Sequence, residues 1–175
     1  MIAFLIGATI GGAVLGAATG LIALGASSMG LRSATLAAGV LLLSALWEAS
    51  GRPVPSLTRQ VDDAWLTKYR GWVYGLGFGA QLGVGFVTYV TTPLTYGFVA
   101  AGILLGDPGV LLASGVVYGT TRGLSIFTTA GVRSPDELRS FFLRLQRLLS
   151  PARVGASLLL GAGLTLVFVT GGTAL

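Results

Sequence analysis

The sequence predicts an all-α fold: a polytopic membrane helix bundle of about five transmembrane helices, with an amphipathic helix on its cytoplasmic side. Three observations carry that prediction. The hydrophobic set makes up 53% of the 175 residues, and only 17 (11 + 6) are charged, or 10%. A soluble domain carries roughly 25% charge. There are 28 glycines, spaced for close helix packing. The few charges are gathered into short segments, leaving uncharged runs of membrane-crossing length. A helix needs about 20 apolar residues to cross a hydrocarbon core roughly 30 Å thick.

On that measure the spans are expected near 3–25, 32–49, 71–91, 109–130 and 154–174, within one integral membrane domain covering 1–175. The first run carries no charge, so it has no basic leader region. Its apolar stretch is also longer than a secretory signal uses, and an uncleaved helix is expected despite Leu24-Gly25-Ala26. The second run is the shortest, and its flanking Arg32 and Glu48 have to snorkel. The third run, 71–106, is too long for one crossing and is interrupted at Pro93, which lacks an N–H and disfavours helical geometry at Thr92. Leu94–Leu105 is then a short helix that bends back, or a kinked extension at the outer side. A thin sixth span is the alternative. Gly106-Asp107-Pro108-Gly109 reads as a turn.

Orientation follows from lysine and arginine. Residues 49–70 hold Arg52, Arg59, Lys68 and Arg70, and 129–153 hold Arg133, Arg139, Arg144, Arg147 and Arg153. Both segments are expected on the cytoplasmic side. The N-terminus is then inside and the C-terminus outside, in the cell's inner (plasma) membrane. Residues 49–70 form a cytoplasmic loop. Residues 134–150 form an interfacial amphipathic helix that opens on the capping box Ser134-Pro135-Asp136-Glu137 and ends at Ser150-Pro151. It lays Leu138, Phe141, Phe142, Leu145, Leu148 and Leu149 against lipid. Nucleic acid is not an expected partner, because the charges flank spans rather than line a groove.

The candidate site residues are the polar ones at membrane depth. Gln81 lies near the midplane of the third span, Thr88, Thr92 and Tyr96 surround the break that Pro93 makes, Arg122 lies within the fourth span, and Glu48 closes the second. Each needs a hydrogen-bond partner there. They line a path for a small solute, or they are glue between helices. Arg122 pairs with Glu48, or it snorkels to the inner interface. Gly71, Gly75, Gly79 and Gly83 share one face of the third span and predict close approach of another helix. The chain has no Cys and no His, and Asp62-Asp63 has no further ligand, so no metal site is expected. No cofactor is named by any motif.

Gly75-Leu-Gly77-Phe-Gly79-Ala80, followed by a helix broken at Thr91-Thr92-Pro93, resembles the transmembrane electron-relay proteins of the cytochrome-c-biogenesis and disulfide-reductant type (CcdA/DsbD-like, within the lysine-exporter superfamily). In that family a cysteine beside the proline carries electrons. Here Thr92 holds that place, so the resemblance implies the scaffold without thiol chemistry, and no catalytic residue carries over.

The functional expectation is a non-enzymatic membrane protein. It is foremost an accessory or structural subunit of a larger membrane complex, bound to the lipid bilayer and to other membrane subunits or further copies of itself. The alternative is a small-solute or ion transporter using the break near Pro93, and the third is a degenerate redox relay.

Overall fold

The computed structural model describes residues 1–55, 70–85 and 92–171, with side chains of the last helix described to residue 159. Among the described residues the chain is all helix: α1 (Ile2–Ser28), α2 (Ala34–Ser50), α3 (Gly71–Val84), α4 (Leu94–Leu105), α5 (Pro108–Leu124), a 3-10 turn (Ser125–Thr129) and α6 (Pro135–Gly171). Their ends follow local chemistry. Ser33 caps α2 by accepting from the Leu36 N–H at 3.2 Å, and the Asp107 carboxylate caps α5 through the Val110 N–H at 3.0 Å. At α6 the expected capping box forms in part, its return bond reaching Arg133, one residue before the cap. The Ser134 hydroxyl accepts from the Glu137 N–H at 3.2 Å, and the Glu137 carboxylate accepts from the Arg133 N–H at 2.8 Å.

The helix α1 is the axis of the bundle. It is 27 residues long, about 40 Å. Along one side its glycines meet α3, with Gly7 against Leu76 and Ala80, and Ala8 against Gly79 and Gly83. Residue numbers rise together, so α1 and α3 run parallel. Along the other side Gly12 meets Gly115 and Gly119, Gly16 meets Leu111 and Leu112, and Gly20 meets Pro108. Here the numbers run in opposite senses, so α5 is antiparallel to α1. A methyl group at Gly12 would sit 2.7 Å from the Gly119 Cα, and one at Gly83 would sit 2.8 Å from the Ala8 carbonyl carbon. Backbone therefore lies on backbone along both seams, which only glycine permits. Thr9 and Thr120 add a hydroxyl–hydroxyl bond of 3.1 Å across the α1–α5 seam.

The helices α2 and α4 form a second, antiparallel pair. At one end the Ser33 N–H donates to the Leu104 carbonyl at 3.1 Å, and Arg32 Nη2 donates to the Leu105 carbonyl at 2.8 Å. Arg32, expected to snorkel, instead satisfies the open C-terminus of α4. In the middle Gly97 packs on Ser44 and Val40.

Several sequence expectations change. Of the readings of 94–105, the one in which it bends back falls. While α3 lies beside Ala3–Gly11, α4 lies beside Leu15–Thr19, and Gly106 reaches Ser27. The two short helices follow one another along α1, one half each, because a proline break needs no reversal when both halves have the same apolar wall to pack on. The last helix does not end at Ser150-Pro151 either: α6 runs through Pro151 for 37 residues, about 55 Å. Pro151 removes one N–H without stopping the helix. Of the expected five spans, two among the described residues, Ile2–Ser28 and Pro108–Thr129, are long and apolar enough to cross a membrane, and α2 and α4 are shorter apolar helices.

Burial falls mainly on small side chains, with Phe4 and Leu111 the large ones among them at 6% exposed. The most buried side chains are small, with Ala8 and Ala23 at 0% and Ala37 at 2% exposed, and none of the large described ones is fully buried. Ile2 (73%), Leu21 (70%), Leu43 (67%) and Val117 (65%) face outward.

Candidate functional site at the helix break

The break between α3 and α4 brings chemistry into an otherwise apolar bundle. Gly85 closes α3 at φ +77°, and Pro93 precedes Leu94 at the start of α4. A new helix start leaves N–H groups without intrahelical partners. Thr92 serves one of them, its hydroxyl oxygen accepting from the Leu94 N–H at 3.2 Å. The same hydroxyl donates to Glu48 Oε2 at 2.6 Å. The other carboxylate oxygen of Glu48 receives Arg153 Nε at 3.0 Å, with the Glu48 side chain 4% exposed and Arg153 52% exposed. One buried carboxylate thus joins the end of α2, the start of α4 and the middle of α6. Nearby, Tyr96 donates its hydroxyl to the Pro55 carbonyl at 2.7 Å.

A second cluster faces the end of α3. Arg122 donates to the Tyr118 hydroxyl one turn earlier on α5, and its guanidinium carbon lies 5.4 Å from the Tyr118 ring centroid. The Tyr118 hydroxyl in turn lies against Gly85, where a methyl group would come within 2.6 Å of it. Between the clusters, α1, α4 and α5 form a half-open apolar cleft of about 230 Å³ that Leu15, Thr19, Leu94, Phe98, Leu111 and Tyr118 help to line.

Five of the seven candidate residues therefore lie near the break, in two groups. Glu48, Thr92, Pro93 and Tyr96 stand on the α2–α4 side, and Arg122 stands on the α5 side. Of the two readings of Arg122, the pair with Glu48 does not form: α6 carries Arg153 to the end of α2, where it takes Glu48, while Arg122 donates to Tyr118. Gln81 is half-buried on the face of α3 turned away from the α1 seam. Thr88 lies outside the described residues. Of the packing glycines, Gly79 and Gly83 make the closest seam and Gly75 an ordinary 3.7 Å contact with Ala3 and Phe4, whereas Gly71 is exposed and meets only Tyr74 of its own helix. Arg153 was legible only as one of the basic residues of its segment. A buried acid needs a base, and Arg153 borders a charge-free run, which is the signal that could have found it. Among the described residues no three acids stand together to hold a metal.

The fold and site define a class: an all-helical, glycine-seamed bundle with an ion pair at an interrupted helix. Relatives make it more particular. The chain is 29% identical over 174 residues to methylamine utilization protein MauF of Methylorubrum extorquens, covering 99% of this chain and 57% of that protein. It is 30% identical over 131 residues to MauF of Paracoccus versutus, covering 70% and 45%, and 28% identical over 116 residues to MauF of Paracoccus denitrificans, covering 66% and 42%. The chain spans about half the length of the curated relatives it matches. No family model and no solved structure matches it.

These relatives correct two expectations. The likeness to the CcdA/DsbD-like electron relays falls, because all three relatives carry the MauF name. Its physical basis is now visible: Gly79 of the Gly75–Ala80 stretch is a contact point of the α1 seam, a packing device any close helix pair can use. The readings as a subunit of a larger membrane complex, as a solute or ion transporter, and as a degenerate relay fall with it, and so do the membrane and transport terms attached to them. The relatives are named for the use of methylamine.

Proposed function

We propose that the chain serves methylamine utilization in company with other proteins of that process, and that it does so without catalysing a reaction itself. The observation that carries the reading is the match to a MauF protein over 174 residues, from one end of the described bundle to the other. The site agrees with a non-catalytic role. Both oxygens of Glu48 are engaged by Thr92 and Arg153, so its carboxylate is committed to holding helices together rather than to moving a proton.

The proposed setting is a bilayer, entered with the N-terminus on the cytoplasmic side. Five crossings are proposed: α1, α2, the broken α3–α4 pair, α5 and α6. Large apolar side chains that face outward while glycine and alanine fill the interior support this. The arginines support the orientation. Arg70 stands where α3 begins, level with the N-terminus of α1, and Arg133 follows α5 at that same end, while Arg32 lies at the opposite end.

Two experiments test the proposal. Disrupting the gene should abolish growth on methylamine as nitrogen source while leaving growth on ammonium intact, and equal growth on both refutes the role. Single cysteines replacing Gly30 and Arg133 should react with a membrane-impermeant maleimide from opposite sides, and labelling from one side refutes the topology.

A further inference from the structure

The helices α4 and α5 are joined by the turn at Gly106-Asp107 and meet where Leu111 fills the space beside Gly102. Two half-open clefts follow one another between them, one of about 230 Å³ toward the break and one of about 180 Å³ toward the turn. The clefts share Phe98, Leu111 and Ser114, so they form one groove. Its walls are apolar, and Phe98, Leu105 and Val110 are exposed along it. The groove is as long as α4, 12 residues or about 18 Å. One leaflet of a bilayer, half of a hydrocarbon core roughly 30 Å thick, has a similar depth.

The end of the groove at the turn carries two opposite charges. Arg32 and Asp107 both stand exposed beside Gly106. The Arg32 guanidinium lies against Gly106 and gives Nη2 to the Leu105 carbonyl at 2.8 Å, which uses one of its five N–H groups. The Asp107 carboxylate lines the cleft and accepts from the Val110 N–H at 3.0 Å, which engages one of its two oxygens. Among the described residues the ion pair is Glu48–Arg153, so Arg32 and Asp107 hold opposite charges at one mouth without neutralising each other. Arg32 also stands at the end of the bundle opposite Arg70 and Arg133, where the lysine and arginine rule gives no reason for a basic residue.

We propose, on the basis of the bilayer setting above, that this groove binds a zwitterionic phospholipid of the outer leaflet. One acyl chain lies between α4 and α5, the phosphate meets Arg32, and the headgroup ammonium meets Asp107. The apolar walls supply contact area, and the two charges fix the orientation of the head. A purely anionic head would find Arg32 but be repelled by Asp107, and an uncharged apolar molecule would leave both charges unanswered.

The test uses the full-length protein in mild detergent, titrated with phosphatidylethanolamine or with phosphatidylglycerol of the same acyl chains and read by native mass spectrometry. One phosphatidylethanolamine should be retained per chain, with about a tenfold preference over phosphatidylglycerol, the scale of one charge-assisted hydrogen bond. Asp107→Asn, which keeps a capping side chain at the start of α5, should erase that preference. Arg32→Gln should weaken the binding of both lipids. Ser114→Phe, on the wall of both clefts, should displace the lipid. Equal retention of the two lipids by the parent overturns the proposal. So does a preference that survives Asp107→Asn, binding that ignores Arg32→Gln, or lipid retained by Ser114→Phe. Where Ser114→Phe does not fold, the headgroup preference and its loss in Asp107→Asn decide. A chain that stays in solution without detergent refutes the bilayer setting, whereas a chain that needs detergent yet sheds both lipids alike leaves that setting standing and refutes only the site.

Discussion

Gly12→Ala and Gly25→Ala make the same change in the same helix, yet they should move stability in opposite directions. At Gly12 the new methyl group would lie 2.7 Å from the Gly119 Cα and 2.8 Å from its nitrogen, and closer still to the Gly115 carbonyl oxygen. Carbon atoms rest about 3.5–4.0 Å apart, so the α1–α5 seam must part by roughly 1 Å. Overpacking of this kind costs about 1–3 kcal/mol. Cα–H···O contacts of the kind that recur where helices meet this closely, worth about 0.5–1 kcal/mol each, would be stretched as well. The lower backbone entropy of alanine returns about 0.5–1 kcal/mol. At Gly25 nothing lies within 4 Å of the added methyl and the backbone is helical, so only the favourable term remains. The two variants should therefore differ by roughly 2–4 kcal/mol, Gly12→Ala below the parent and Gly25→Ala slightly above it. Thermal unfolding in mild detergent, followed by circular dichroism, reads the difference. A Gly12→Ala protein within about 0.5 kcal/mol of the parent would refute the claim that backbone contact along α1 holds the bundle together.

Two further predictions concern the polar contacts. Arg153→Gln should be the more damaging cut at the Glu48 junction, by roughly 2–4 kcal/mol, because it strands a buried carboxylate, whereas Glu48→Gln frees an arginine already half in solvent and should cost about 1–2 kcal/mol. The double variant should lose less than the sum, and Arg122→Gln should simply add to Glu48→Gln, since Arg122 belongs to the other cluster. Additive losses for Glu48 with Arg153, or coupling of Glu48 with Arg122, would reverse the assignment of partners. Arg32→Ala should uncap α4 at a cost of about 0.5–1.5 kcal/mol, seen as faster amide hydrogen exchange at Ser33 and Gly106 and unchanged exchange within α1.

The helical class was legible because uncharged runs and glycine spacing are local properties of the chain. Gly79 and Gly83 showed their role through spacing alone. Gly71, at the same spacing, did not take part, because it stands at the very start of α3, where α1 no longer overlaps it. Spacing shows which residues share a face but not how far the neighbouring helix extends. The same limit explains Glu48. Depth along the chain placed it near Arg122, but pairing depends on which helix stands beside α2, and that helix is α6, more than 80 residues further on. Nor could the break at Pro93 reveal that α4 goes on in the direction of α3, since the deciding factor is the unbroken wall of α1.

The contacts at the break form a chain of dependence that explains why an acid is found there. A helix restarted inside an apolar bundle has N–H groups that neither water nor an earlier turn can serve. Thr92 serves that of Leu94, but its hydroxyl still has a proton to give, and the strongest available acceptor is a carboxylate. The Glu48 carboxylate accepts that hydrogen bond, and as a buried charge it is costly unless a cation compensates. Arg153 supplies that cation while half exposed itself, so that α6 is fixed to α2 by a requirement that originates at Leu94. On this logic the interruption is the cause and the ion pair the consequence. Restoring continuity between α3 and α4 would remove the need for the carboxylate, whereas neutralising the carboxylate would leave the interruption in place and merely less well satisfied.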